Sequence, residues 1–187
     1  MADSFLDQLS QPRPAPGGGA AAAFGGLMAL ALLEKVVQLE AQRPGNQGQR
    51  QEWEEKLAQI RQLSADLDRL REEDVLAYRL LAQTRASGSQ VQERREVIEY
   101  AIKVPREIMA RSREGLALLA WAGARCRKHL VSDLQVAREF LMAALQGAYH
   151  IARANLPLVA DAARRQELSR KLAQALEEGR RAEGADN

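Results

Sequence analysis

The residues best suited to chemistry are a glycine triplet and one aspartate. Pro16 introduces Gly17-Gly18-Gly19, which open an apolar run at Ala20. Glycines at a helix start leave backbone N–H groups bare and approachable, which suits an anion or a polarised ligand. A flexible lead-in to a core helix accounts for them equally well. Asp74 falls on a stripe made of Trp53, Leu57, Ile60, Leu63, Leu67 and Leu70 and continued by Tyr78 and Leu81. A carboxylate on a buried stripe is costly unless it is paired or used. Used, it is a general acid/base or the counter-charge to a cationic intermediate. Paired, it is half of an ion pair with a neighbouring arginine. Ser132-Asp133 reads first as a helix start, His150 as a half-buried helix histidine, and Asn155 as a helix C-cap. The sequence has no phosphate-binding loop, no nucleophile elbow, no H-E-x-x-H and no C-x-x-C. One cysteine, Cys126, and two histidines make a structural zinc site an unlikely use of this chain, so no metal is expected.

Helices must position these groups. The stretch Pro14 to Leu33 carries no charged side chain and is rich in Ala and Leu. It predicts a helix from about Ala20 to Gln42, apolar on every face, which places it at the centre of a bundle or in a membrane. Gly25-Gly26 and the many alanines favour close helix approach, hence the centre of a bundle. Before it, Asp3 to Leu9 predicts a short helix stopped by Pro12, Pro14 and Pro16. After Pro44-Gly45 a long amphipathic helix runs from about Gln51 to Gln83, and Ala86–Ser89 forms a polar turn. A third helix begins near Gln90 and runs to Trp121, with Pro105 expected to kink it. The cluster Arg125, Arg127, Lys128 and His129 follows, read as favourable charge near that helix's C-terminus. Ser132-Asp133-Leu134-Gln135 matches a capping box opening a helix to about Ala154, and a last helix spans roughly 161–181. Strand-like alternation is absent from the sequence. The expectation is one all-α domain over 1–187, a bundle of five or six helices around a buried central one. Residues 1–15 are a short helix and proline-rich lead-in, and 182–187 a frayed tail.

Composition narrows the classes of function. Lys and Arg number 27 against 25 Asp and Glu, so no strong field points toward nucleic acid or a membrane surface. A lone cysteine excludes an internal disulfide and fits a reducing compartment. Met1-Ala2-Asp3 lacks the features of a secretory signal, and the expectation is a cytoplasmic protein with no nucleic-acid or membrane partner. Apolar surface on several helices predicts a homodimer.

The order of several short segments also carries a resemblance. Phe5-Leu6-Asp7-Gln8-Leu9 followed by Pro14-Ala15-Pro16-Gly17-Gly18-Gly19-Ala20 resembles the opening of the formiminotransferase-cyclodeaminase family, in its cyclodeaminase/cyclohydrolase domain. Glu73-Asp74-Val75-Leu76-Ala77-Tyr78, Ala101-Ile102-Lys103-Val104-Pro105, Val131-Ser132-Asp133-Leu134 and Asn155-Leu156 are similar to later segments of that family, in the same order. The resemblance implies an all-helical, typically dimeric folate enzyme needing no metal or redox cofactor, with a tetrahydrofolate derivative as substrate. It implies Asp74 as the catalytic carboxylate with Asp133 assisting, and a substrate site from Pro16, Gly17, Gly18, Gly19, Tyr78, Ser132, His150 and Asn155. Three departures stand beside it. The family usually has asparagine where this chain has Ile151, often a hydroxyl residue where it has Ala20, and a basic loop where it has the Gln-rich stretch Gln47–Gln51. They imply a shifted substrate preference, with His150 compensating, or a member that has lost activity.

Overall fold

The computed structural model describes residues 4–86 and 91–184, and among these six α-helices and three short 3-10 turns make up the fold with no strand. The helices are α1 (Phe5–Leu9), α2 (Gly18–Ala41), α3 (Arg50–Ala86), α4 (Val91–Gly123), α5 (Val131–Asn155) and α6 (Ala162–Gly184). This is the all-α bundle the periodicity predicts. Of the expected Ala86–Ser89 turn, residues 87–89 lie outside the described residues, as do 185–187 of the expected tail. The rest of that tail continues α6 to Gly184.

Each helix starts for a local reason. Ser4 caps α1, its hydroxyl accepting from the Asp7 N–H while Asp7 accepts from the Ser4 N–H. Asp161 does the same for α6, accepting from the Arg164 N–H at 3.1 Å. The expected capping box at Ser132 is not formed. A 3-10 turn, Lys128–Leu130, already coils the chain before α5, so Leu130 takes the cap position in a helical conformation and Ser132 lies exposed in the first turn.

α2 packs between α3 and α5 and runs antiparallel to both. Gly26 lies against Leu67 of α3 and Ala144 of α5, while Gly147 faces Ala22. Leu30, Leu33, Ile60, Leu67, Leu141 and Leu145 interlock with no exposed surface. α1 lays Phe5 across Phe24, ring centroids 4.7 Å apart. The central helix is nonetheless not buried all round. Only half of its most apolar eighteen-residue window is covered, and Met28 and Leu39 are exposed by 40% and 41%. By length and hydropathy α2 is also long enough to cross a membrane.

The far end of α2 carries a buried carboxylate that the sequence did not single out. Glu40 has no exposed surface. It accepts from Arg127 Nε at 2.8 Å, the Arg127 N–H at 3.3 Å and Asn46 Nδ2 at 3.1 Å. Arg127, read from sequence as charge near a helix end, therefore ties the α4–α5 connection to α2. Burial works against the Glu40 charge, but Arg127 and Asn46 more than offset it and hold the carboxyl below the usual glutamate range. With the folded pKa depressed, this stability is present above the unfolded pKa and is lost as pH falls through the folded one. Glu40→Ala should cost about 3 kcal/mol, since Arg127 keeps partial solvent contact when abandoned. Thermal melts at pH 7 and pH 4 check this: the gap between parent and variant should narrow in acid.

Candidate functional site

The N-terminal turn of α2 meets α3 at Asp74. Gly17 caps the helix without a side-chain hydrogen bond, leaving the first N–H groups to be satisfied elsewhere. Asp74 Oδ2 accepts from the Ala20 N–H at 2.9 Å. The amides of Gly18 and Gly19 make no hydrogen bond among the described residues. Glycine at 19 is required by space: a β-carbon there would overlap the Asp74 carboxylate itself. The carboxylate thus occupies the volume of a missing methyl, pressed against a helix N-terminus. No cation pairs with Asp74 among the described residues, so the ion-pair explanation of this residue fails. Desolvation raises its pKa above the usual aspartate value, and the Ala20 N–H offsets part of the rise.

A cleft of about 330 Å³ opens beside this turn, lined in part by Phe5, Pro16, Arg71, Val75, Leu76 and Arg79. Arg71 lies over the Phe5 ring, 5.2 Å from its centroid, and pairs with Asp68 at 2.9 Å. A wider groove of about 520 Å³ lies between α4 and α6. Its Lys103, Arg113 and Lys171 are matched to Glu107, Glu178 and Glu167, while Arg106, also in its wall, has no ion pair among the described residues.

The formiminotransferase-cyclodeaminase family model matches residues 1–174, and so spans nearly the whole chain. The chain belongs to this family. Among solved structures it is similar to the formiminotetrahydrofolate cyclodeaminase of Thermotoga maritima, with a TM-score of 0.84 at 23% identity over 95% of this chain and 87% of that one. That likeness shows the shared fold. A comparison with curated proteins gives no match.

Within this family member, the residues implied by the resemblance fall into two groups. Pro16–Gly19 and Asp74 meet at one end of the α2/α5 layer, and His150 and Asn155 lie on the last turns of α5, on either side of Ile151. Ile151, at the position where the family usually has asparagine, points its Cδ1 to 3.0 Å from where a Gly18 β-carbon would stand. The departure therefore places an apolar group directly against the glycine turn. His150 is exposed, its ring packed edge-on to Tyr149, not half-buried as its helical position suggests. Tyr78 departs from its expected burial too, being 43% exposed. The buried side of α3 steps from Leu70 and Asp74 to Ala77, Leu81 and Thr84, which leaves Tyr78 beside it rather than on it.

Ser132 and Asp133 form the second group. Asp133 pairs with Lys35 at 2.7 Å, and Lys35 stands about 22 Å along α2 from Ala20 at 1.5 Å per residue. One chain does not bring Asp133 to Asp74.

Asn155 performs a task that the family resemblance did not suggest. Its Nδ2 donates to the Ala101 carbonyl of α4 at 2.9 Å. In an unbroken helix that carbonyl would accept from residue 105, which is proline and has no N–H. α4 passes through Pro105 as one helix, and Asn155 supplies the missing donor. The side chain is not acting as a helix cap. Asn155→Leu should cost about 1–3 kcal/mol by orphaning a buried carbonyl. In a Pro105→Ala background, where an N–H returns, the same change should cost clearly less. A double-mutant cycle of denaturant melts reads the coupling.

Proposed function

We propose that this chain is a folate enzyme acting on the one-carbon bridge between N5 and N10 of tetrahydrofolate. The reactions in view are closure of 5-formiminotetrahydrofolate to the 5,10-methenyl form with loss of ammonia, and hydrolysis of the methenyl form to 10-formyltetrahydrofolate. Both pass through a tetrahedral carbon between two nitrogens and turn on proton transfers. The observation that carries the reading is Asp74, a half-buried carboxylate with no cation partner among the described residues, set on a helix N-terminus beside a cleft. A carboxylate so placed can take or give a proton and balance amidinium charge in a poorly solvated site. The Gly18 and Gly19 amides are open to an anionic or carbonyl group of the ligand. The family and the relative named as a formiminotetrahydrofolate cyclodeaminase support the same substrate class. The protein acts as a cytoplasmic homodimer in this reading and calls on no metal or redox cofactor.

A second reading is favoured by Ile151, which closes an apolar group over Gly18 where a polar one is usual. In it the chain keeps the fold as a binding module without the chemistry. Ultraviolet absorbance of methenyltetrahydrofolate, and ammonia release from the formimino form, separate the two. Loss of either substrate well above the buffer rate is expected. Binding of folate with both rates unchanged would establish the module instead.

A further inference from the structure

We propose that the groove between α4 and α6 is a binding site for a small organic acid, with Arg106 as the counter-charge of its carboxylate. The inference does not depend on the assignment of Asp74.

At about 520 Å³ the groove is of the size of small-molecule sites. Its floor is apolar. Met109 and Leu172 are 1% and 2% exposed, and Ala110 and Ala175, which also line it, are too small to fill it. Arg106 stands half-buried in the wall, without an ion pair or a hydrogen bond among the described residues. The sequence explains why its own helix supplies none. The positions three and four residues away are Ile102, Lys103, Met109 and Ala110, and none is acidic.

The other cations of the groove are already matched. Arg113 pairs with Glu178 at 2.6 Å, Lys171 with Glu167 at 2.6 Å, and Lys103 more loosely with Glu107 at 3.5 Å. One positive charge is therefore left over above an apolar floor. A carboxylate with an apolar body meets both features. The guanidinium fork holds its two oxygens, while the body covers Met109 and Leu172. Lys103, its side chain 65% exposed, can turn toward the same anion, because an exposed pair of that length holds it weakly. Glu107 also lines the groove, so one negative charge suits the site better than two. Arg113–Glu178 already joins α4 to α6, and an occupant touching both helices adds to that link.

Calorimetric titration with phenylbutyrate tests this, beside neutral phenylbutanol and acetate. Phenylbutyrate should saturate the parent with a Kd of about 1 mM or tighter and raise its melting temperature. The alcohol lacks the charge and acetate lacks the body, so each should bind more weakly by about tenfold or more. Arg106→Gln should weaken phenylbutyrate about tenfold with a melt near the parent's, since this arginine has no partner to lose. Ala175→Leu keeps every charge but fills the floor, and should weaken it comparably. A loss with Arg106→Gln alone marks diffuse attraction to a basic surface and overturns the pocket. A loss with Ala175→Leu alone removes Arg106 as the counter-charge and overturns the assignment. Equal binding of the alcohol, or no saturation by the acid, overturns it as well. The glycine turn beside Asp74 is the other place an anion can go, so Gly18→Val is the control. It should leave phenylbutyrate binding unchanged, and a loss there would put the acid at that turn instead. If Arg106→Gln changes how the protein sediments, the groove is a contact between copies and not a ligand site.

Discussion

Asp74→Asn is expected to lower folate turnover by about 100-fold or more while leaving the melting temperature unchanged or slightly higher. The change is nearly isosteric, and the new side-chain oxygen can still accept from the Ala20 N–H. What disappears is the proton acceptor, and loss of a general acid/base costs about that factor. The stability half follows from linkage. The folded pKa of Asp74 is raised, chiefly by desolvation. A raised carboxyl favours folding most below its unfolded pKa, and that contribution is lost as pH rises through the folded value. Above the folded pKa the ionised group is therefore a cost, which asparagine removes. Glu40, at the opposite end of α2, has the opposite sign. Parent turnover should also fall as pH drops through the raised pKa, because the base becomes protonated. Steady-state rates across pH, beside thermal melts, check both halves. Unchanged turnover in the variant would remove Asp74 from the chemistry, and a collapsed melt with matching loss of activity would mark it as structural.

Gly19→Ala should damage both properties at once. The added methyl would stand within the Asp74 carboxylate, so the side chain or the helix start must move. Overpacking of this kind costs about 1–3 kcal/mol, and a displaced carboxylate should lose turnover on the scale of Asp74→Asn. The informative partner is Asp74→Ala, which vacates the contested space. The double variant should melt nearer to the parent than Gly19→Ala does, yet remain inactive. Additive losses in the melt would show that the clash is relieved by backbone movement instead. Gly18→Val is a milder companion, since its side chain would press on the movable end of Ile151. It should weaken folate binding at near-parental helix content.

The helices were legible because each has a strong periodic signal and a clear break. Trp53, Ile60, Leu63, Leu67 and Leu70 are all buried as their spacing requires. Asp74 was legible as an anomaly on that stripe. Tyr78 was misread because the buried stripe advances three residues from Asp74 to Ala77 where a four-residue step was expected. The capping box at Ser132 was misread because the preceding Lys128–Leu130 turn, not a side chain, starts α5. Glu40 was invisible for a different reason: a charged residue in the last turn of a helix looks solvated until its partner, Arg127, folds back from far along the chain. Open surface on α2 was hidden by the same uniformity that identified it. A run apolar on every face cannot say which face its own chain leaves bare.

The bond from Asn155 to Ala101 sets a condition on assembly. Pro105 leaves one carbonyl of α4 unanswered inside the bundle, and residue 155 reaches it only when α5 has slid to its native height. An α4–α5 pair slipped by one turn could still bury leucines against leucines. It would leave that carbonyl dry and unpaired, a cost of about 1–3 kcal/mol. Leucine-rich helices distinguish poorly between neighbouring alignments, and here a backbone defect on one helix serves as the keyhole for a single amide on the other.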